Sequence, residues 1–167
     1  MLDDLIDRLH QALIANGWTI DLAPAPATLP MPLDGVDATL RGFVASTRSC
    51  ESADGAVWFI GFDDYSRDDG EGWNFIQKQI SEPSAEGMPD YEREVADFWS
   101  EHVPFAIHSR GDYGYLALSR AGSVVCGFAP ELEEPQTVAA SYVEFVHRLI
   151  EECERREGDF YDLWIKE

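Results

Sequence analysis

The chain has 167 residues, 45% apolar and 12% aromatic, which fits one domain with a core of its own and excludes wholesale disorder. Twelve basic residues against 32 acidic ones give a net charge of −20. That field repels phosphate backbones and anionic lipid, so no nucleic-acid or membrane partner is expected, and encounter with a basic protein is favoured.

Leu2, Leu5, Ile6, Leu9 and Leu13 recur at helical spacing and Asn16-Gly17 supplies a stop, which predicts an amphipathic first helix. Trp18, Ile20 and Leu22 fit a short strand or an extended segment. Pro24, Pro26, Pro30 and Pro32 crowd residues 23–32; proline fixes φ and removes a donor, so this stretch reads as an extended connector. A second helix is expected next, with Leu33, Val36, Leu40, Phe43 and Val44 as its apolar face. Residues 49–55 read as a turn-rich break, and the β-branched and aromatic run 57–62 as a strand. The acidic stretch 63–72 reads as a loop, 73–80 fits a short helix or a strand, and 81–89 reads as another loop.

Tyr91, Val95, Phe98 and Trp99 share a helical stripe, with Pro89 near its start and Pro104 as its stop. Three short strands, at 105–108, 113–118 and 123–128, follow as a meander. Their links, Ser109-Arg110-Gly111-Asp112 and Ser119-Arg120-Ala121-Gly122, are turn-like. Beyond Pro130 and Pro135 the pattern predicts a long helix over residues 137–156, burying Val138, Tyr142, Phe145, Val146, Leu149 and Ile150. The tail bearing Phe160, Leu163, Trp164 and Ile165 is apolar enough to dock back. No internal repeat or composition break divides the chain, so residues 1–167 read as a single α+β domain.

Cys50, Cys126 and Cys153 have neither zinc-site nor redox-pair spacing, which points to a reducing compartment. The start, Met1-Leu2-Asp3-Asp4, is acidic where a signal peptide is basic, and no run approaches the ~20 apolar residues of a membrane span. A cytoplasmic location is the expectation.

Several motifs occur in a fixed order. Leu29-Pro30 precedes a helix, and an aromatic strand follows at 57–62. Val103-Pro104-Phe105-Ala106-Ile107-His108 enters the meander, and Gly111-Asp112-Tyr113-Gly114-Tyr115-Leu116-Ala117-Leu118 is a glycine-marked turn running into a strand. The strand 123–128 comes next, and the run Thr137-Val138-Ala139-Ala140-Ser141-Tyr142-Val143-Glu144-Phe145-Val146 starts the last helix. Over residues 28–152 this order resembles the SUKH superfamily, which includes a fungal cell-wall-synthesis regulator and bacterial toxin-immunity proteins. Ser46-Thr47-Arg48-Ser49 stands where that family often has a double-glycine turn. The resemblance implies a mostly antiparallel, twisted sheet of about five or six strands with helices around it. It also implies a protein-binding function.

No nucleophile elbow, phosphate-binding loop, zinc-protease or dinucleotide motif is present, so the chain reads as a non-enzyme without a cofactor. His108 with Asp112 or Ser109 would be the base of a small hydrolase; the plainer reading is a histidine capping a strand end. Asp63, Asp64, Asp68, Asp69 and Glu71 offer oxygen ligands, but the calcium-loop register fails, because starting at Asp64 puts Asp69 at the turn glycine and Phe75 at the bidentate glutamate. Arg110-Gly111-Asp112 reads as a turn. The candidate partner-binding residues are therefore two acidic groups with aromatic anchors: Asp63, Asp64, Tyr65, Asp68, Asp69, Glu71 and Trp73, and then Glu131, Glu133 and Glu134. Acidic rims beside aromatics suit a basic partner such as a nuclease toxin. The expected function is immunity-type binding of a toxin, with a cytoplasmic regulator or scaffold as the alternative.

Overall fold

A computed structural model describes residues 1–22 and 28–167. The expected α+β class is found, with seven antiparallel strands among the described residues instead of five or six. They lie side by side in chain order: β1 (Thr19–Leu22), β2 (Thr47–Glu51), β3 (Val57–Phe59), β4 (His102–His108), β5 (Gly114–Ser119), β6 (Val124–Phe128) and β7 (Gln136–Ala139). Residues 23–27 of the expected connector lie outside the described residues.

Residues opposite one another in a ladder share a face of the sheet. Trp58, Ile107, Tyr115 and Gly127 form one such row across β3 to β6. Helix α5 (Pro89–Glu101) packs over that row: the Phe98 and Trp99 rings lie 6.3 and 5.0 Å from the Tyr115 ring. Gly127 is required there, because a Cβ would come within 2.6 Å of the Tyr115 ring. The opposite face carries the main core. Phe59 meets Trp18 at 5.3 Å and Phe43 of α2 (Ala38–Ser46) at 6.2 Å. Phe105 meets Tyr142 and Phe145 of α6 (Tyr142–Arg155) at 5.0 and 5.2 Å. Helix α1 (Leu2–Ala15) lies against α6, tied by Asn16 Nδ2 donating to the Cys153 carbonyl at 3.3 Å.

Local chemistry sets the helix ends. Asp37 caps α2 by accepting from Thr39 N–H at 2.7 Å. Ser141 caps α6 by accepting from Glu144 N–H at 3.1 Å, and the Glu144 carboxylate reaches back to Ala140 N–H. Pro89 sits in the first turn of α5, where a missing N–H costs nothing.

Several boundaries differ from the sequence reading. Part of the supposed break at 49–55 is β2, a polar strand in which Thr47 and Cys50 are buried. Strand 57–62 stops at Phe59, and Phe62 opens a one-turn helix, α3 (Phe62–Tyr65). Gly61 passes so close to the Arg48 carbonyl that a side chain could not follow. Residues 77–85, read partly as a loop, are helical: a π-turn (Gln77–Ser81) leads into α4 (Glu82–Ala85). Helix α5 ends at Glu101, and Pro104 lies inside β4 at a register irregularity. Residues expected to begin the last helix at 137 form β7, so Val138 is a strand residue. In the docked tail Phe160, Trp164 and Ile165 are buried, whereas Leu163 is 41% exposed.

Candidate functional site

Of the carboxylates at residues 63–71, Asp64, Asp68 and Asp69 are engaged by groups in or next to their own loop. Asp64 accepts from Gly61 N–H at 3.2 Å, and burial pushes its carboxyl above the usual range. Asp68 accepts from Asn74 Nδ2 at 3.0 Å. Asp69 accepts from Arg67 Nε and Nη2 at 3.2 and 2.9 Å and from Glu71 N–H at 3.0 Å; the Arg67 guanidinium holds its carboxyl below the ordinary value. Asp63 lies 4.0 Å from Arg48, while Glu71 is exposed and Trp73 half-buried. Tyr65 must be withdrawn as a surface anchor. It is 2% exposed, and its hydroxyl donates to the Pro104 carbonyl at 2.5 Å. Among the described residues, no group of three or more His, Cys, Asp and Glu is placed to hold a metal ion.

The second acidic group lies elsewhere. The first loop packs beside β2, and residues 131–134 lie between β6 and β7. Four strand spacings, about 19 Å along the sheet, separate β2 from β6, so the two groups do not form one site. Glu133 is structural, accepting from the Tyr91 hydroxyl at 3.1 Å and tying α5 to this loop. Leu132 is buried and its carbonyl accepts from the Tyr115 hydroxyl. Glu131 and Glu134 remain exposed.

Those two carboxylates border a groove of about 410 Å³ between the β6–β7 edge and the C-terminal tail. Its apolar lining comes from Phe128, Val138, Phe160, Leu163 and Trp164. Asp159 completes an acidic rim of three carboxylates, and the lining contains no basic residue. Arg148 stands just behind, 3.6 Å from Asp159 and over the Phe160 ring at 4.5 Å. The Trp164 indole N–H is buried in the wall without a strong acceptor; the neighbouring Cys126 sulfur is a weak one. Burial pushes the Cys126 thiol up to about 12, so it stays protonated at neutral pH.

One buried carboxylate shapes this groove. Glu152, 3% exposed, accepts from Phe160 N–H at 2.8 Å and Tyr161 N–H at 3.0 Å through one oxygen. Its other oxygen accepts from Arg148 Nε at 2.8 Å. Gly158, at φ +126°, lies against the Glu152 carboxylate with no room for a Cβ. Sequence reasoning placed the apolar tail against the domain but missed Glu152 and Asp159, because Glu151, Glu152, Glu154 and Glu157 look alike in a charged helix end.

The His108–Asp112 pair does not assemble as a catalytic dyad. His108 is 5% exposed, between the Phe128 and Trp164 rings, and its Nδ1 lies 3.4 Å from the Asp112 backbone carbonyl. Burial lowers its pKa. Ser109 donates instead to the Ala56 carbonyl at 2.9 Å. Arg110 pairs with Asp54 and donates to the Lys166 carbonyl at 2.7 Å, so the turn at 110–112 ties the tail to the β2–β3 hairpin.

No family model, curated protein or solved structure matches this chain. Among the described residues no helix is long and apolar enough to cross a membrane.

Proposed function

We propose that this protein is a binding domain of the immunity type, which captures a basic polypeptide toxin and covers the surface the toxin needs for its activity. The observation that carries the reading is the groove beside the tail: an apolar floor, three carboxylates at the rim and no base in the lining. It lies on a chain of net charge −20. Apolar anchoring supplies affinity in such a surface, and the surrounding field raises the rate of encounter with a cationic partner. The order of motifs shared with the SUKH superfamily supports the immunity role within the wider class of binding domains.

The test is a tagged pull-down from the source cells at low and high salt, followed by an assay of the captured polypeptide's toxicity. One basic polypeptide should be retained at low salt and released as salt screens the contact. Its toxicity should vanish at equimolar ratio. A neutral or acidic partner held equally at both salts would overturn the basic-target reading, and a toxin left fully active by excess protein would overturn the immunity role.

A further inference from the structure

We infer that β7 is the docking edge, and that the partner enters as an extended, Lys- or Arg-bearing segment added as an eighth strand. This rests on the binding-domain reading and specifies how the partner is held.

Strand β7 pairs with β6 on one side, and no strand among the described residues pairs with its other side. A strand edge presents a row of backbone donors and acceptors, and folded proteins usually block it with charge, proline or a covering element. The two edges of this sheet differ in that respect. β1 carries Asp21, which pairs with Arg48 at 3.4 Å. β7 reads Gln136-Thr137-Val138-Ala139, with no charge and no proline, and Gln136 and Thr137 are exposed.

The groove runs beside this open edge, with Gln136 and Val138 in its lining. Side chains alternate along a strand. A segment hydrogen-bonded to β7 would therefore send every second side chain toward the groove. With lysines in that phase, their aliphatic stems would lie along Val138, Phe160 and Leu163 and their ammonium ends would reach Glu131, Glu134 and Asp159. Main-chain pairing gives affinity in such complexes and the side-chain pockets give selectivity. Charge fixes the occupant: an acidic segment would meet only carboxylates at the rim, and a second copy of this chain would bring the same rim against itself.

The probe is a seven-residue synthetic peptide of alternating lysine and valine, capped at both ends, added to the full-length protein. Backbone amide spectra and amide hydrogen exchange are read with and without peptide. The expected result is saturable binding, slowed exchange within residues 136–139, and loss of binding when alternate peptide nitrogens are methylated in the phase that faces β7. The Glu131→Gln/Glu134→Gln variant should bind about fivefold more weakly at low salt, as two exposed ion pairs allow, with the difference shrinking at high salt. The glutamate–valine counterpart should not bind. Strand addition is overturned if the lysine–valine peptide fails to bind, if exchange at 136–139 is unchanged on binding, or if both methylated phases bind like the parent. The salt-sensitive pull-down judges the capture of a basic polypeptide separately, so a partner held elsewhere on the domain would sink this inference and leave that function intact.

Discussion

Replacing Glu152 by alanine should loosen the tail and weaken the whole domain. Its carboxylate is the acceptor for Phe160 N–H and Tyr161 N–H and the partner of Arg148 Nε. Removing it strands two backbone donors in a region where Glu152 and Phe160 are 3% and 5% exposed. Each buried donor left without a partner costs about 1–3 kcal/mol, and the lower half applies here because the tail can open to water. Arg148 is 43% exposed on its side chain and regains solvent, so its share is small. The sum is about 3 kcal/mol, or about 6–12 °C in Tm for a domain of this size. Glu152→Gln keeps an oxygen for the two backbone donors and should lose about 1–2 kcal/mol. Urea unfolding followed by tryptophan fluorescence measures the stability, and hydrogen exchange across residues 158–166 reports the tail. A Glu152→Ala variant within about 0.5 kcal/mol of the parent, the ordinary scatter of surface substitutions, with unchanged tail exchange, would refute the latch.

Gly158→Ala should cost about 1–3 kcal/mol through its left-handed φ and its contact with Glu152; combined with Glu152→Ala the losses should be less than additive in a double-mutant cycle. Tyr65→Phe removes the hydroxyl bonded to the Pro104 carbonyl and should lower the urea midpoint by an amount worth about 1–2 kcal/mol with an unchanged slope. Gly127→Ala drives a methyl against the Tyr115 ring and should cost about 1–3 kcal/mol, with Trp99 fluorescence shifted as α5 is displaced. His10 and His108 both have pKa values lowered by burial. They stay neutral in the fold while the unfolded chain takes up protons below about 6.5, so their contribution is complete above that pH and is lost as pH falls toward the folded pKa. Stability measured from pH 7.5 to 5.5 should therefore fall more steeply in the parent than in a His10→Gln/His108→Gln variant, and parallel slopes would contradict this.

Elements whose apolar residues keep one period were legible in the sequence. The α1 stripe from Leu5 to Leu13, the α5 pair Val95 and Trp99, and the meander β4 to β6 appear as expected. Strand β2 escaped because Thr47-Arg48-Ser49-Cys50-Glu51 is polar, with buried positions at its first and fourth residues and no alternation. β7 escaped because Val138 falls in helical register with Tyr142 and Phe145, although the Ser141–Glu144 capping pair marks the true helix start. Of the candidate binding residues, Glu131 and Glu134 lie on the groove, Glu133 serves Tyr91, and Tyr65 belongs to the core. Composition signals acidity but not which carboxylates are engaged internally. Asp68 and Asp69 are held by partners a few residues away, while Glu152 depends on a tail that folds back over it.

Because each strand among the described residues pairs with its neighbours in sequence, a chain emerging from the ribosome can lay down the sheet one strand at a time. The face carrying Phe105 has no cover from Tyr142 and Phe145 until α6 has been made. At about 5–20 residues per second the stretch from β6 to the end of α6 takes about 1–5 s. During that interval the nascent protein presents an aromatic sheet face that a chaperone can hold, and a chain stalled before residue 142 should remain bound to one.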